Sequence, residues 1–74
     1  MNKEDKLLFL NKQLRYTISE LEDFNQLFNF LDYLGNEETP VFYLGLISAK
    51  YEIIESATFK KNWLEQKIQE IETE

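Results

Sequence analysis

Leu34-Gly35-Asn36-Glu37-Glu38-Thr39-Pro40 holds the only proline and one of the two glycines, almost at the midpoint of a 74-residue chain. Gly35 suits the left-handed position just past a helix end, because it has no Cβ to clash there. Thr39 followed by Pro40 reads as an N-cap and a first helical position, where the missing proline N–H costs nothing. Asn2, with Glu4 and Asp5 after it, suits a helix start, since its side chain can accept from a free N–H and the acids meet the positive end of the helix dipole. The reading is two helices, about 3–34 and 40–72, joined by a turn at 35–39.

Apolar spacing agrees with this division. Leu7, Leu10, Leu14, Ile18, Leu21, Phe24, Phe28 and Leu31 recur at intervals of three and four residues. So do Leu44, Ile47, Tyr51, Ile54, Ala57, Leu64, Ile68 and Ile71, with Lys61 where an apolar residue is expected. Two near-equal helices with a short connection fold back on each other. Centring the turn on Glu37 and Glu38 pairs Leu31 with Leu44, Phe28 with Ile47, Phe24 with Tyr51, Leu21 with Ile54, Ile18 with Ala57, Leu10 with Leu64 and Leu7 with Ile68. Leu14 against Lys61 is the one mismatch in polarity. Ser56-Ala57-Thr58 sets two weak helix formers around a small residue, which predicts a kink there. The fold class is therefore all-α, an antiparallel, coiled-coil-like two-helix hairpin forming one domain over 1–74.

A seam of two helices uses about two apolar positions in seven, and this chain has more. Leu27, Phe30, Leu34, Phe42 and Leu46 lie beside the seam near the turn and broaden it into a face that two helices do not cover. Contiguous exposed apolar surface marks an interaction site, and a short chain without staples leans on a partner subunit. These five residues are thus candidates for self-association into a homodimeric four-helix bundle or a higher oligomer.

At the far end from the turn, Phe59 and Trp63 are an i, i+4 pair on one helix face. The register puts them level with Lys12 and Tyr16, with Arg15, Lys60 and Lys61 close by. Aromatic rings beside Arg and Lys are the usual composition of binding hot spots, and they also receive anionic ligands and bases. Lys12, Arg15, Tyr16, Phe59, Lys60, Lys61 and Trp63 form the candidate partner- or ligand-binding band. The blander reading stays beside it: rings capped by a second subunit, and lysines on a solvated face.

Composition narrows the function. Eight Lys/Arg against fourteen Asp/Glu, a net charge of −6, disfavour direct nucleic-acid binding, which needs a basic face. With no His and no Cys, the chain lacks the commonest general base, the thiol nucleophile and the usual metal ligands. There is no glycine loop for phosphates and no serine beside a base. No catalytic residue, metal or cofactor is expected, and the protein reads as non-enzymatic. Met1-Asn2-Lys3-Glu4-Asp5-Lys6 mixes acids into a stretch that a secretory signal would keep basic. Thr39 to Ala49, the longest uncharged run, is eleven residues, too short to span a bilayer. The expectation is a cytoplasmic protein without a membrane partner.

The outline resembles short bacterial phosphatase regulators related to sporulation control, which are antiparallel helical hairpins of similar size. Their second helix carries Ser-Gln-Glu-Leu-Asp, whereas this chain has Ser48-Ala49-Lys50-Tyr51-Glu52. The resemblance is one of shape and implies no shared activity. The residues themselves point to a regulatory protein that binds another protein, such as a small inhibitor encoded by a mobile element, acting as a helical oligomer. Two alternatives remain open: sequestration of an anionic nucleotide-type ligand at the basic–aromatic band, and a purely structural assembly element.

Overall fold

The computed structural model describes residues 1–74 as an all-helical chain: α1 (Lys3–Leu34), α2 (Val41–Ser48) and α3 (Lys50–Glu72), with α1 packed against α3. α1 begins where the Asn2 side chain accepts from the Asp5 N–H at 2.8 Å, with Glu4 and Asp5 in the first turn. That arrangement satisfies one of the free N–H groups of a helix start and places negative charge at the positive end of the dipole.

The turn departs from expectation in two details. Gly35 ends α1 with its N–H donating to the Leu31 carbonyl at 3.1 Å, and its φ of 78° is positive, but its ψ of 165° is extended rather than left-handed helical. This corner of backbone space is open essentially to glycine alone. Thr39 does not cap the next helix. Its N–H and its hydroxyl both turn back to the Gly35 carbonyl, at 3.1 and 2.7 Å, and the residue is buried. Pro40 takes the N-cap place instead, with no side-chain cap. A threonine hydroxyl readily bonds a carbonyl four residues back, and the Gly35 carbonyl lies outside the α1 ladder and accepts it.

The expected single helix over 40–72 is broken, and not at the expected place. α2 stops at Ser48, Ala49 adopts φ −94° and ψ 7°, and α3 begins at Lys50. Gly45 weakens the helix, and the Ser48 hydroxyl donates to the Leu44 carbonyl at 3.1 Å, the kind of back-bonding that bends helices. The Ala49 N–H splits between the Gly45 and Leu46 carbonyls, both at 3.2 Å. Ser56-Ala57-Thr58, where a kink was expected, lies inside an unbroken α3, with the Thr58 hydroxyl bonded to the Ile54 carbonyl at 2.7 Å.

Leu10, Leu64 and Ile68 form the buried cluster, with Leu7, Leu14 and Ile71 packed on it. At the other end Lys50 Nζ stands 5.5 Å over the Phe28 ring and 4.0 Å from the Asp32 carboxylate. The start of α1 therefore meets the end of α3, and the end of α1 meets its start. The half far from the turn keeps the expected level, but Lys50, expected beside Asn25, sits further toward the turn. α3 is unbroken from Lys50 to Glu72, so the difference belongs to the lysine side chain, whose long stem carries its ammonium toward the turn, over the Phe28 ring and to Asp32.

Seam membership also shifts. The positions of α1 that are at least half-buried along the seam are Leu7, Leu10, Leu14, Thr17, Leu21, Phe24, Phe28 and Leu31, in strict alternation of three and four. Thr17, only 1% exposed, takes the place expected for Ile18, which is 37% exposed. Its hydroxyl is satisfied by the Gln13 carbonyl at 2.9 Å. In α3 the seam runs Lys50, Ile54, Ala57, Lys61, Leu64, Ile68 and Ile71, so Tyr51 falls outside it at 84% exposed. A strict seven-residue repeat keeps one stripe facing the partner helix, and Ile18 and Tyr51 each lie one residue off that stripe. Leu44, expected opposite Leu31, is 40% exposed because α2 precedes the break.

The result is a rod of 53 × 17 × 16 Å with a radius of gyration of 16.4 Å. A compact chain of this length would have about 11 Å. Two substitutions of the same kind should then act in opposite directions. Gly35→Ala forces a Cβ into a glycine-only backbone region and should destabilise by about 1–3 kcal/mol. Gly45→Ala, helical and with no atom within 4 Å of the added Cβ, should stabilise by about 0.5–1 kcal/mol. Urea midpoints of the two variants check this; a fall for Gly45→Ala would show that α2 needs its weak point.

Candidate functional site

The seam fixes which way every other side chain faces. In a strict heptad the positions beside the seam form two flanks, and residues seven apart share a row. On one flank of α1, Phe9, Tyr16 and Phe30 share a row, and Glu20, Leu27 and Leu34 share the row beside it. The same flank of α3 carries Ile53, Lys60 and Lys67 in one row and Ser56 and Trp63 in the next. These two flanks face the same way, because shallow grooves join them. One of about 230 Å³ is lined by Lys6, Phe9, Leu10, Trp63, Lys67 and Ile71, with Met1. Another of about 430 Å³ brings Glu20 and Phe24 beside Ile53, Ser56, Ala57 and Lys60, with Glu52 at its edge.

The expected binding band is thereby divided. Lys12, Arg15 and Tyr16, with Ser19, line a dent of about 290 Å³ that lies wholly on α1. Trp63, 54% exposed, shares its groove with Phe9 and Leu10 rather than with Lys12. The Lys67 ammonium lies 5.8 Å from its ring centre, an i, i+4 cation–π contact. Lys60 belongs to the mid-rod groove, and Phe59 stands exposed on the outer side of α3. Lys61 lies in the seam itself, half-buried, with its ammonium drawn out to Glu65 at 2.7 Å. Its methylene stem can lie along the apolar seam while the charge reaches water.

Among the residues expected to self-associate, Leu27, Leu34 and Leu46 are half-buried, while Phe30 and Phe42 are exposed. Leu27, Leu34 and Phe30 lie on the same flank as Phe9 and Trp63, so two patches read separately in sequence belong to one long surface. Phe9 and Lys67 are the members that sequence reasoning missed. The signal was present: Phe9 precedes Tyr16 by seven residues, and Lys67 follows Trp63 by four.

Chemically the surface offers rings, methyl groups and solvated charges. Every buried side-chain polar atom has a hydrogen-bond partner. No group of three or more Asp or Glu residues is placed to hold a metal ion, and no helix is long and apolar enough to cross a membrane. No protein-family model matches the chain, and neither a curated protein nor a solved structure matches it.

The seam lysine gives a measurable consequence. Lys61→Leu exchanges an exposed ion pair, worth about 0.3–0.5 kcal/mol, for partial burial of a leucine side chain worth more than that. The urea midpoint should rise by the equivalent of about 0.5–1 kcal/mol with an unchanged denaturant slope. A lower midpoint would mean that the lysine stem already fills the seam better than leucine.

Proposed function

We propose that this chain is a non-enzymatic regulatory protein that acts by binding another protein, in the manner of a small inhibitor. One observation carries the reading: thirteen large hydrophobic residues are exposed, while the buried hydrophobic core has six members. A surface so apolar is built to be covered. Among the thirteen are Phe9, Tyr16, Phe30, Phe42, Phe59 and Trp63, the side-chain type that dominates binding energy at interfaces. Lys12 and Arg15 beside Tyr16 supply the charged component, on the outer side of α1 and clear of the seam. A net charge of −6 with basic groups gathered at that dent suits a partner that meets it with an acidic edge.

A second reading, sequestration of an anionic nucleotide-type ligand, has that same dent in its favour. Its lining of Lys12, Arg15, Tyr16 and Ser19 comes from one helix face, whereas small-molecule sites enclose most of the ligand surface. The protein-binding reading accordingly fits the geometry better.

Affinity capture from the native host, with the wild type and with Arg15→Glu and Tyr16→Ala, separates the two. Wild type should retain one protein in fixed stoichiometry, and each variant should weaken that complex by about thirty-fold, a hot-spot loss of about 2 kcal/mol. Stabilisation of the wild type by millimolar nucleotide, with no protein retained, would overturn the reading in favour of the ligand binder.

A further inference from the structure

Two observations, one on the whole chain and one on the long flank where Phe9, Trp63, Leu27 and Phe30 lie, define what covers that flank. The first is area. The chain exposes 5830 Å², whereas a compact monomer of 8.9 kDa exposes about 4,800 Å². The excess, about 1,000 Å², exceeds the roughly 800 Å² per partner of a standard stable interface.

The second is the order of polarity along the rod. Toward the turn the flank rows of α1 hold Leu27, Phe30 and Leu34, with no charge beyond Asp23. At mid-rod Glu20 of α1 and Lys60 of α3 line one groove, so an acid and a base stand at the same level on opposite helices. At the open end Lys6 and Lys67 frame Phe9 and Trp63.

We propose that the occupant is a second copy of this chain, packed flank to flank with both turns at the same end and the two-fold axis along the rod. This symmetry sets α1 against α3 of the second copy at every level. The uncharged half then meets an uncharged half, ring meets ring at the open end, and Glu20 meets Lys60 of the second copy twice over, as an isologous interface requires. Lys6 comes level with Lys67 of the second copy, a like-charge pair at the open end whose stems let the ammonium groups reach past the rings to water. The reversed packing would set α1 against α1. It would drive Leu27, Phe30 and Leu34 onto the lysine end and bring Glu20 against its own copy, an arrangement of like charges that weakens association. All neighbouring helices in the proposed four-helix bundle run antiparallel. The Lys12 and Arg15 charges stay on the outside, available to a different protein, while Tyr16, in the row of Phe9 and Phe30, stands where the dent meets the edge of the paired flank.

This inference rests on reading the flank as a binding surface, and its test separates the two ideas. Because the chain has no cysteine, Glu37→Cys at the exposed turn takes a single nitroxide label outside the interface. Sedimentation of the wild type should give the mass of two chains. The label–label distance should be about 10–25 Å, set by neighbouring helix spacing plus the label arms. Phe30→Glu should weaken association by about thirty-fold with helicity retained, since Phe30 lies outside the seam. Tyr51→Glu, on the opposite flank, should leave the dimer intact.

A distance near the 53 Å rod length would overturn the same-end packing, and a monomeric wild type would overturn the pairing altogether. A dimer indifferent to Phe30→Glu, or one lost with Tyr51→Glu, would place the interface on the wrong flank. A monomer that still captures its host protein would leave the protein-binding reading standing while this inference falls.

Discussion

The seam between α1 and α3 is the constraint on which the rest of the molecule depends. A chain of two long helices offers one extensive place for apolar side chains to leave water, and a strict alternation of three and four residues directs one stripe of each helix into it. Leu10, Leu64 and Ile68 anchor its open half, and Phe28 and Leu31 are buried near the turn. Because the stripe is narrow, every aromatic of α1 and α3 off it remains exposed. The surplus of exposed apolar surface is thus a direct result of the fold, and the functional reading grows from that surplus.

Polar members of the seam show how it is tuned. Thr17 is buried but brings no unmet hydrogen bond, since its hydroxyl returns to the Gln13 carbonyl within its own helix. Lys50 and Lys61 enter with their stems and send their charges outward, one over the Phe28 ring and toward Asp32, the other to Glu65. Such residues lower the stability of a two-helix seam while tolerating only registers that leave their ammonium groups in water. α2 stands apart from this scheme: it has no buried residue and is set off by the Ala49 break. Its Phe42 and Tyr43 rings, 4.6 Å apart, pack on each other instead. Sparse burial makes α2 the segment of lowest local stability, next to the most apolar part of the surface.

Charge is distributed in the same spirit. The acidic excess occupies the turn and mid-rod, at Glu37, Glu38, Glu20, Asp23 and Glu52, while Lys12 and Arg15 gather on the outer side of α1. Net charge opposes non-specific association, so the formal charge of −6 works against the exposed rings. The basic dent then supplies local contrast against this acidic background.

The helical character of the chain, the cap at Asn2 and the end of α1 before Gly35 were legible in the sequence, because each rests on local chemistry: a side-chain oxygen three residues from an N–H, and a glycine where φ turns positive. The core at the open end was legible too, from spacing alone. Thr17 and Tyr51 were misplaced because hydropathy favoured Ile18 and disfavoured Lys50, whereas the heptad phase of a packed pair outweighs the polarity of a single side chain. The direction of the Thr39 hydroxyl and the break at Ala49 depended on which carbonyl lay within reach, a matter of three-dimensional position. The same holds for the candidate surface. Sequence determined that the chain holds more apolar side chains than one seam can bury. Only the packing of α1 on α3 decided that Phe9, Trp63, Leu27 and Phe30 share a flank while Lys12 and Arg15 do not, because that is settled by the rotation of each helix about its axis, which the seam alone sets.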